Sequence, residues 1–159
     1  MPTAMDTMYC QFTKQLVDVK PCILYPINTT ADFADRLATQ GLKLVEVYSS
    51  AWGPCYSILP TLKRIKIERD PDPAAFQYDV CQAEFIEQLM EYRGKSKPTF
   101  LFYRNGKLVH TVCGPNTPEI ERRIYEFTPA NPDQDDIEEN PFYAAKKAAS
   151  RPVSAHKMR

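Results

Sequence analysis

The residues of this sequence whose types could do chemistry are its thiols and a few acids. Cys55 lies near the end of the stretch VEVYSSAWGPCYS, residues Val45 to Ser57. Thiol–disulfide exchange needs two sulfurs in set roles. One, exposed at a helix N-terminus where the dipole favours thiolate, attacks; a second resolves the mixed disulfide. A C-x-x-C spacing supplies both. Here Trp52 stands three residues before Cys55, so the stretch reads W-G-P-C with one sulfur. The other cysteines, Cys10, Cys22, Cys81 and Cys113, are scattered, and none completes a C-x-x-C pair. Such thiols suit a reducing compartment, where most are small buried hydrophobes. They also lack zinc-site spacing, and His110 and His156 lie far apart, so neither a metal nor a cofactor is expected.

Bulk composition narrows the field further. A chain of 159 residues suits one domain with an extension. Lys and Arg number 20 and Asp and Glu number 20, a formal net charge of zero, which points neither to nucleic acid nor to a membrane surface. No run of about 18 apolar residues occurs, so no transmembrane helix is expected. The opening MPTAMDTMYCQFTKQ lacks a basic flank followed by an apolar core, so no signal peptide is expected.

The flanking elements must position the thiol and the acids. Residues 1–21 have weak periodicity and read as an N-terminal arm. CILYPI (22–27) is a short strand. Asn28 or Thr29 caps a helix from Asp32 to Gln40, with Phe33 and Leu37 on one face and Gly41 as its stop. KLVEVYS (43–49) is a buried strand that carries Glu46. A helix is expected from near Pro54, with Ile58, Leu62 and Ile65 inward and a kink at Pro60. DPDPAAF (70–76) is a turn, FQYDV (76–80) a strand, and EFIEQLMEYRG a helix with Phe85, Leu89 and Tyr92 aligned. PTFLFYRNGKLVHTV (98–112) is a hairpin, because Asn105-Gly106 supplies the positive φ values of a tight turn. TPEIERRIYEF (117–127) is a last helix, capped by Thr117, with Ile120, Ile124 and Phe127 inward. The order β-α-β-α-β-α-β-β-α predicts an α/β fold, a mixed central sheet with helices on both faces. Residues 129–159 form a tail of changed composition. Its five acids lie between Asp133 and Glu139, followed by Lys146, Lys147, Arg151, Lys157 and Arg159 with no acid among them. Phe142 and Tyr143 within it favour docking over pure disorder.

Over residues 22–128 these features resemble the thioredoxin fold. Gly53-Pro54-Cys55 is similar to the end of the W-C-G-P-C motif, Pro60 to the proline five residues after its second cysteine, and Pro98 to the cis-proline facing the active site. Glu46 falls where thioredoxins carry a buried acid, and Gly114 where a glycine follows the last strand. KPTFLFYRNGKLVHTVCGPNTPEIERRI further resembles thioredoxin-like light chains of axonemal outer dynein arms, and thioredoxin domains fused to nucleoside diphosphate kinase modules in ciliary proteins. The stretch Val45-Glu46-Val47-Tyr48 is similar to the V-x-V-Y run of that group. With only about 30 residues after the matched region, no kinase module is expected.

The resemblance implies roles for the residues. Trp52 occupies the attacking position, and Cys55 is the resolving thiol, which alone has nothing to resolve. Neither Cys81, ending a strand, nor Cys113, ending the hairpin, lies at a helix N-terminus to replace it. Glu46, which would assist proton transfer in an active enzyme, reads as a structural remnant, and Pro98 sets the loop before the hairpin. Trp52 beside Tyr56 is either packed across the old groove or an exposed anchor for another protein. Lys97 places a charge on the rim that would receive substrate backbone. Three functions follow. The first is a non-catalytic subunit of a ciliary or flagellar axonemal complex, binding dynein heavy chain or other axonemal subunits. Its tail residues Phe142, Tyr143, Lys146, Lys147 and Arg151 would then suit an acidic surface such as tubulin. The second is an oxidoreductase with an altered monothiol mechanism. The third is a client-binding module using the groove around Trp52 and Pro98.

Overall fold

The computed structural model describes residues 24–69, 75–131 and 135–150. The arm, Cys10, Cys22, most of the turn after residue 69, and Arg151, His156, Lys157 and Arg159 lie outside them. Five strands form one sheet: β1 (Leu24–Ile27), β2 (Leu42–Tyr48), β3 (Phe76–Gln82), β4 (Thr99–Arg104) and β5 (Lys107–Cys113). Their order is β1-β3-β2-β4-β5. β1 and β2 run parallel to β3, whereas β4 is antiparallel to both β2 and β5. The helices are α1 (Thr30–Leu37), α2 (Leu59–Arg69), α3 (Thr117–Phe127) and α4 (Pro141–Ala149). Two 3-10 helices lie at Glu87–Tyr92 and Ile137–Glu139. This is the α/β thioredoxin fold expected from the order of elements.

Strand parity divides the core in two. Leu42 and Leu44 of β2, Tyr78 of β3 and Phe100 and Phe102 of β4 pack against Leu62 and Ile65 of α2 and Ile120 and Ile124 of α3. On the other face, Val45, Val47, Cys81 and Leu101 pack against Phe33 and Leu37 of α1 and Leu89 of the first 3-10 helix. Two turns match their sequence signals. Thr29 caps α1, its Oγ1 accepting from Asp32 N at 3.1 Å, and Asn105 and Gly106 take φ values of 48° and 68° in the hairpin turn.

Other expectations need correction. α1 ends at Leu37 rather than Gln40. α2 begins at Leu59, not near Pro54, and Pro60 opens it instead of kinking it. The reason is steric: a helix extended upstream would drive the Pro60 ring into the Tyr56 carbonyl, which has no N–H at residue 60 to bond. That carbonyl instead accepts from Leu59 N at 3.2 Å. The segment expected as an amphipathic helix around Phe85 is a 3-10 helix from Glu87 to Tyr92, with Ile86 buried and Phe85 outside. Asn116, not Thr117, caps α3, accepting from Glu119 N at 3.4 Å.

Residues 135–150 are folded onto the domain. Asn140 is fully buried. Its Nδ2 donates to Leu37 O at 2.7 Å, and its Oδ1 accepts from Phe142 N at 3.0 Å and Tyr143 N at 3.3 Å, capping α4. Gly106 lies directly against it: a Cβ there would sit 2.2 Å from Asn140 Oδ1. Phe142 packs on the second core cluster. Asp135 is buried and accepts from Arg104 at 2.8 Å.

Candidate functional site

The segment carrying Cys55 leaves the C-terminal end of β2. Ser49 O accepts from Trp52 N at 3.0 Å and Gly53 N at 3.1 Å, and Gly53 takes a φ of 73°. This tight turn throws Trp52 outward, 64 % exposed, so it does not pack across the loop. Tyr56 beside it is 41 % exposed. Beneath them Glu46 is fully buried. One of its carboxylate oxygens accepts from Cys55 N and the other from Tyr78 OH. Burial pushes its carboxyl up to about 7, against the two hydrogen bonds, which pull it down. The acid therefore ties the loop to the core.

Cys55 is half-buried rather than sealed in the core, with its Sγ 3.0 Å from Ser57 Oγ. It does not sit in a helix, because α2 starts four residues later. Cys81 is buried on the opposite face of the sheet, its Sγ 3.6 Å from Glu46 O, and burial pushes its thiol well up. Cys113 is exposed at the end of β5. All three described cysteines are free thiols. Among the described residues no group of three or more His, Cys, Asp or Glu could hold a metal ion, and no helix is long and apolar enough to cross a membrane.

The same end of the sheet gathers further residues. Thr99 pairs with Val47 and Cys113, which sets Lys97 and Pro98 beside the end of β2. Pro98 O accepts from Gly114 N at 2.8 Å, and Lys97 is exposed. Glu84 Oε1 accepts from Ser49 Oγ at 2.9 Å and from Ser50 N at 3.3 Å. Arg93 donates to Ala83 O at 3.3 Å and Glu84 O at 3.0 Å. Phe85, next to Glu84, is 50 % exposed. Sequence reasoning missed Phe85, Glu84, Arg93 and Tyr78. Strand parity could have found Tyr78, since it lies two residues before Val80, the pairing partner of Glu46, and so shares its face.

The tail residues belong to another place. Asn140 and Phe142 dock at Gly106, at the hairpin turn, whereas Trp52 and Pro98 lie at the opposite end of β4. Tyr143 is half-buried, with Lys147 Nζ 5.8 Å from its ring centre. Lys146 pairs with Asp35 at 2.9 Å and Lys147 with Glu138 at 3.5 Å. The structure therefore separates the residues around Trp52 from those of the extension.

The sequence profile of the Thioredoxin family matches residues 25–126. The chain belongs to the thioredoxin family. This thioredoxin-family chain is 47 % identical over 133 residues to the 16 kDa light chain of the flagellar outer-arm dynein of Chlamydomonas reinhardtii, a match covering 82 % of this chain and 85 % of that protein. It is 38 % identical over 97 residues to the 14 kDa outer-arm light chain of the same organism, covering 60 % and 74 %. Thioredoxin domain-containing protein 6 of Homo sapiens is 34 % identical over 100 residues, but the match spans only 30 % of that longer protein. Among solved structures, thioredoxin of Schistosoma mansoni matches with a TM-score of 0.51 and 25 % identity, covering 65 % of this chain and 97 % of that one. Nicotiana alata thioredoxin matches with a TM-score of 0.54 and 17 % identity, over 71 % and 99 %. The likeness to thioredoxins and to outer-arm dynein light chains read from the sequence is borne out.

Proposed function

We propose that this chain is a non-catalytic, thioredoxin-fold subunit of the outer-arm dynein of ciliary or flagellar axonemes, and that it works by binding other subunits through the end of the sheet around Trp52. The relationship to the 16 kDa outer-arm light chain, along most of both chains, carries the reading. The site supports it. A tryptophan stands where an attacking thiol would be needed, and the remaining thiol lies outside any helix N-terminus. A large exposed aromatic on a rigidly held loop suits protein contact, since it buries much area at low entropic cost. Co-purification with outer-arm dynein from isolated axonemes tests the assignment; recovery in another complex only would overturn it.

The monothiol reading keeps one observation in its favour, the partial exposure of Cys55 above a carboxyl that titrates near neutrality. An insulin-reduction assay with Cys55→Ser as control separates the two: turnover that depends on Cys55 favours the enzyme. A tubulin contact through the basic C-terminal residues is a separable part of the proposal. Truncation after Ser150 removes Arg151, Lys157 and Arg159 while leaving α4 in place. Unchanged microtubule co-sedimentation of that variant removes the tubulin contact.

A further inference from the structure

The described cations differ in how their charge is answered. Arg36, Arg104, Arg123, Lys146 and Lys147 each lie within ion-pair distance of a carboxylate. Arg93, Lys95 and Lys97 do not. They form the stretch RGKSK, residues 93–97, which contains no acid and leads into Pro98. Arg93 spends its guanidinium on the Ala83 and Glu84 carbonyls, which leaves its charge uncompensated. Lys95 Nζ rests 4.7 Å from the centre of the Tyr92 ring, and Lys97 is exposed beside Gly114. The acids nearest in sequence do not answer this charge. Glu84 accepts only from the neutral Ser49 hydroxyl and Ser50 N–H and so stays an anion on the rim, while Glu87 and Glu91 stand on the preceding 3-10 helix; none of the three lies within ion-pair distance of the three cations.

This charge borders apolar surface. Glu84 joins the base of Phe85 to Ser49 and Ser50, and the turn at Ser49 presents Trp52, so Phe85, Trp52 and Arg93 occupy one rim. Trp52, Tyr56 and Phe85 there are all well exposed. Their mounting is rigid, with Cys55 N held by Glu46 and Pro98 O by Gly114 N. Exposed aromatics flanked by unanswered cations are complementary to a segment that carries apolar anchors and carboxylates.

We propose that this rim receives an acidic segment of a partner subunit, whose apolar side chains cover Trp52 and Phe85 and whose carboxylates meet Arg93, Lys95 and Lys97. The inference rests on the docking role proposed above and names the chemistry of the docked chain. The charge contacts act at the border of the contact and the aromatics at its centre, so the two should separate in experiment.

The test uses the full chain and purified outer-arm dynein stripped of its own copy of this subunit. Binding of the parent is compared with Trp52→Ala and with Lys95→Glu/Lys97→Glu, at low and high salt. Zero-length carbodiimide coupling, which joins lysine amines to carboxylates, is then mapped on the bound complex. Trp52 is the sole tryptophan of this chain, so its biosynthetic replacement by 7-azatryptophan, excited at the red edge where the partner's tryptophans barely absorb, reports cover of the rim. The expected result is a loss of about tenfold or more in affinity for each variant, a matching weakening of the parent in salt, a blue shift of the 7-azatryptophan emission, and cross-links from Lys95 or Lys97 to partner Asp or Glu. Loss with Trp52→Ala but parent-like, salt-independent binding of the charge-reversed chain overturns the acidic partner and leaves rim docking standing. Parent-like binding by both variants overturns docking at the rim as well. Failure of the parent to bind overturns the dynein assignment and this inference with it.

Discussion

Glu46 shows what burial does to a carboxyl that anchors a loop. A carboxyl sealed between strands and helices loses hydration, and its charged form becomes costly. Here it is held up to about 7 against an ordinary 4.5, even with Cys55 N and Tyr78 OH bonded to it. Between those two values the folded chain holds a proton that the unfolded chain has released. The stability this group contributes is therefore complete below about 4.5 and is lost as pH rises through about 7, a swing on the order of 3 kcal/mol. Glu46→Gln keeps an acceptor for Cys55 N and a partner for Tyr78, but removes the titration. Urea unfolding at pH 5 and pH 8 should show the variant near the parent at the lower value and clearly more stable at the higher. A variant less stable than the parent at pH 8 would mean that the carboxylate itself, and not merely a polar partner, is needed under the Trp52 loop. The acid and its strand were legible in KLVEVYS. Its Tyr78 partner, 32 residues away, was not, because parity between two strands fixes it only once their pairing is known.

At the scale of elements, the hairpin and the extension prove to be one mechanical unit. The Asn105-Gly106 turn was legible because positive φ has few chemical solutions. Its second use was hidden: Gly106 also leaves room for Asn140, and the Asn140 bond to Leu37 O spans 103 positions of sequence. No local pattern carries that information. Two substitutions separate the uses. Asn105→Gly keeps the turn and should change stability little. Gly106→Ala adds roughly 1–2 kcal/mol for an L side chain at φ 68° and drives its Cβ into the Asn140 side chain. Asn140→Ala removes the α4 cap, typically about 1 kcal/mol, and leaves Leu37 O without its buried donor, about 1–3 kcal/mol more. In amide hydrogen exchange, residues 141–150 should lose protection in Gly106→Ala and Asn140→Ala but keep it in Asn105→Gly. Equal protection in all three would show that Phe142 packing alone holds the extension. The α2 start and the Phe85 segment were misread for a related reason. Apolar periodicity marks the inner face of an element but not its first residue, and Pro60 decides the start through the Tyr56 carbonyl.

At the scale of the whole molecule, the sheet carries a second buried titrating group on the face opposite Glu46. Lys43 of β2 is almost fully buried and donates to Gln40 O. Four charges act on it: Asp79 of β3, Arg36 of α1, Asp135 of the extension and Lys66 of α2. Burial lowers it from 10.5 to about 8, with the two acids opposing and the two cations assisting. Asp79 in turn is raised by burial, although Arg36 donates to it at 2.6 Å. The linkage at Lys43 has the reverse sense to that at Glu46. Between pH 8 and 10.5 the unfolded chain holds a proton that the folded chain has shed, so this group's contribution is complete above 10.5 and is lost as pH falls through about 8. The two buried groups together predict a stability profile that declines towards neutrality from the acid side and rises from about pH 8, until the buried Cys81 thiol and then Tyr103, both held up by burial, oppose the rise above about pH 9. Lys43→Met should abolish the alkaline rise without altering the decline set by Glu46, and Glu46→Gln should do the opposite. Because the side chains lie on opposite faces of β2 and share no partner, the double variant should show both changes nearly additively. Strong non-additivity across pH 5 to 10 would instead mean that the two faces communicate through β2, and that the Trp52 end is coupled to the extension that packs beside Lys43.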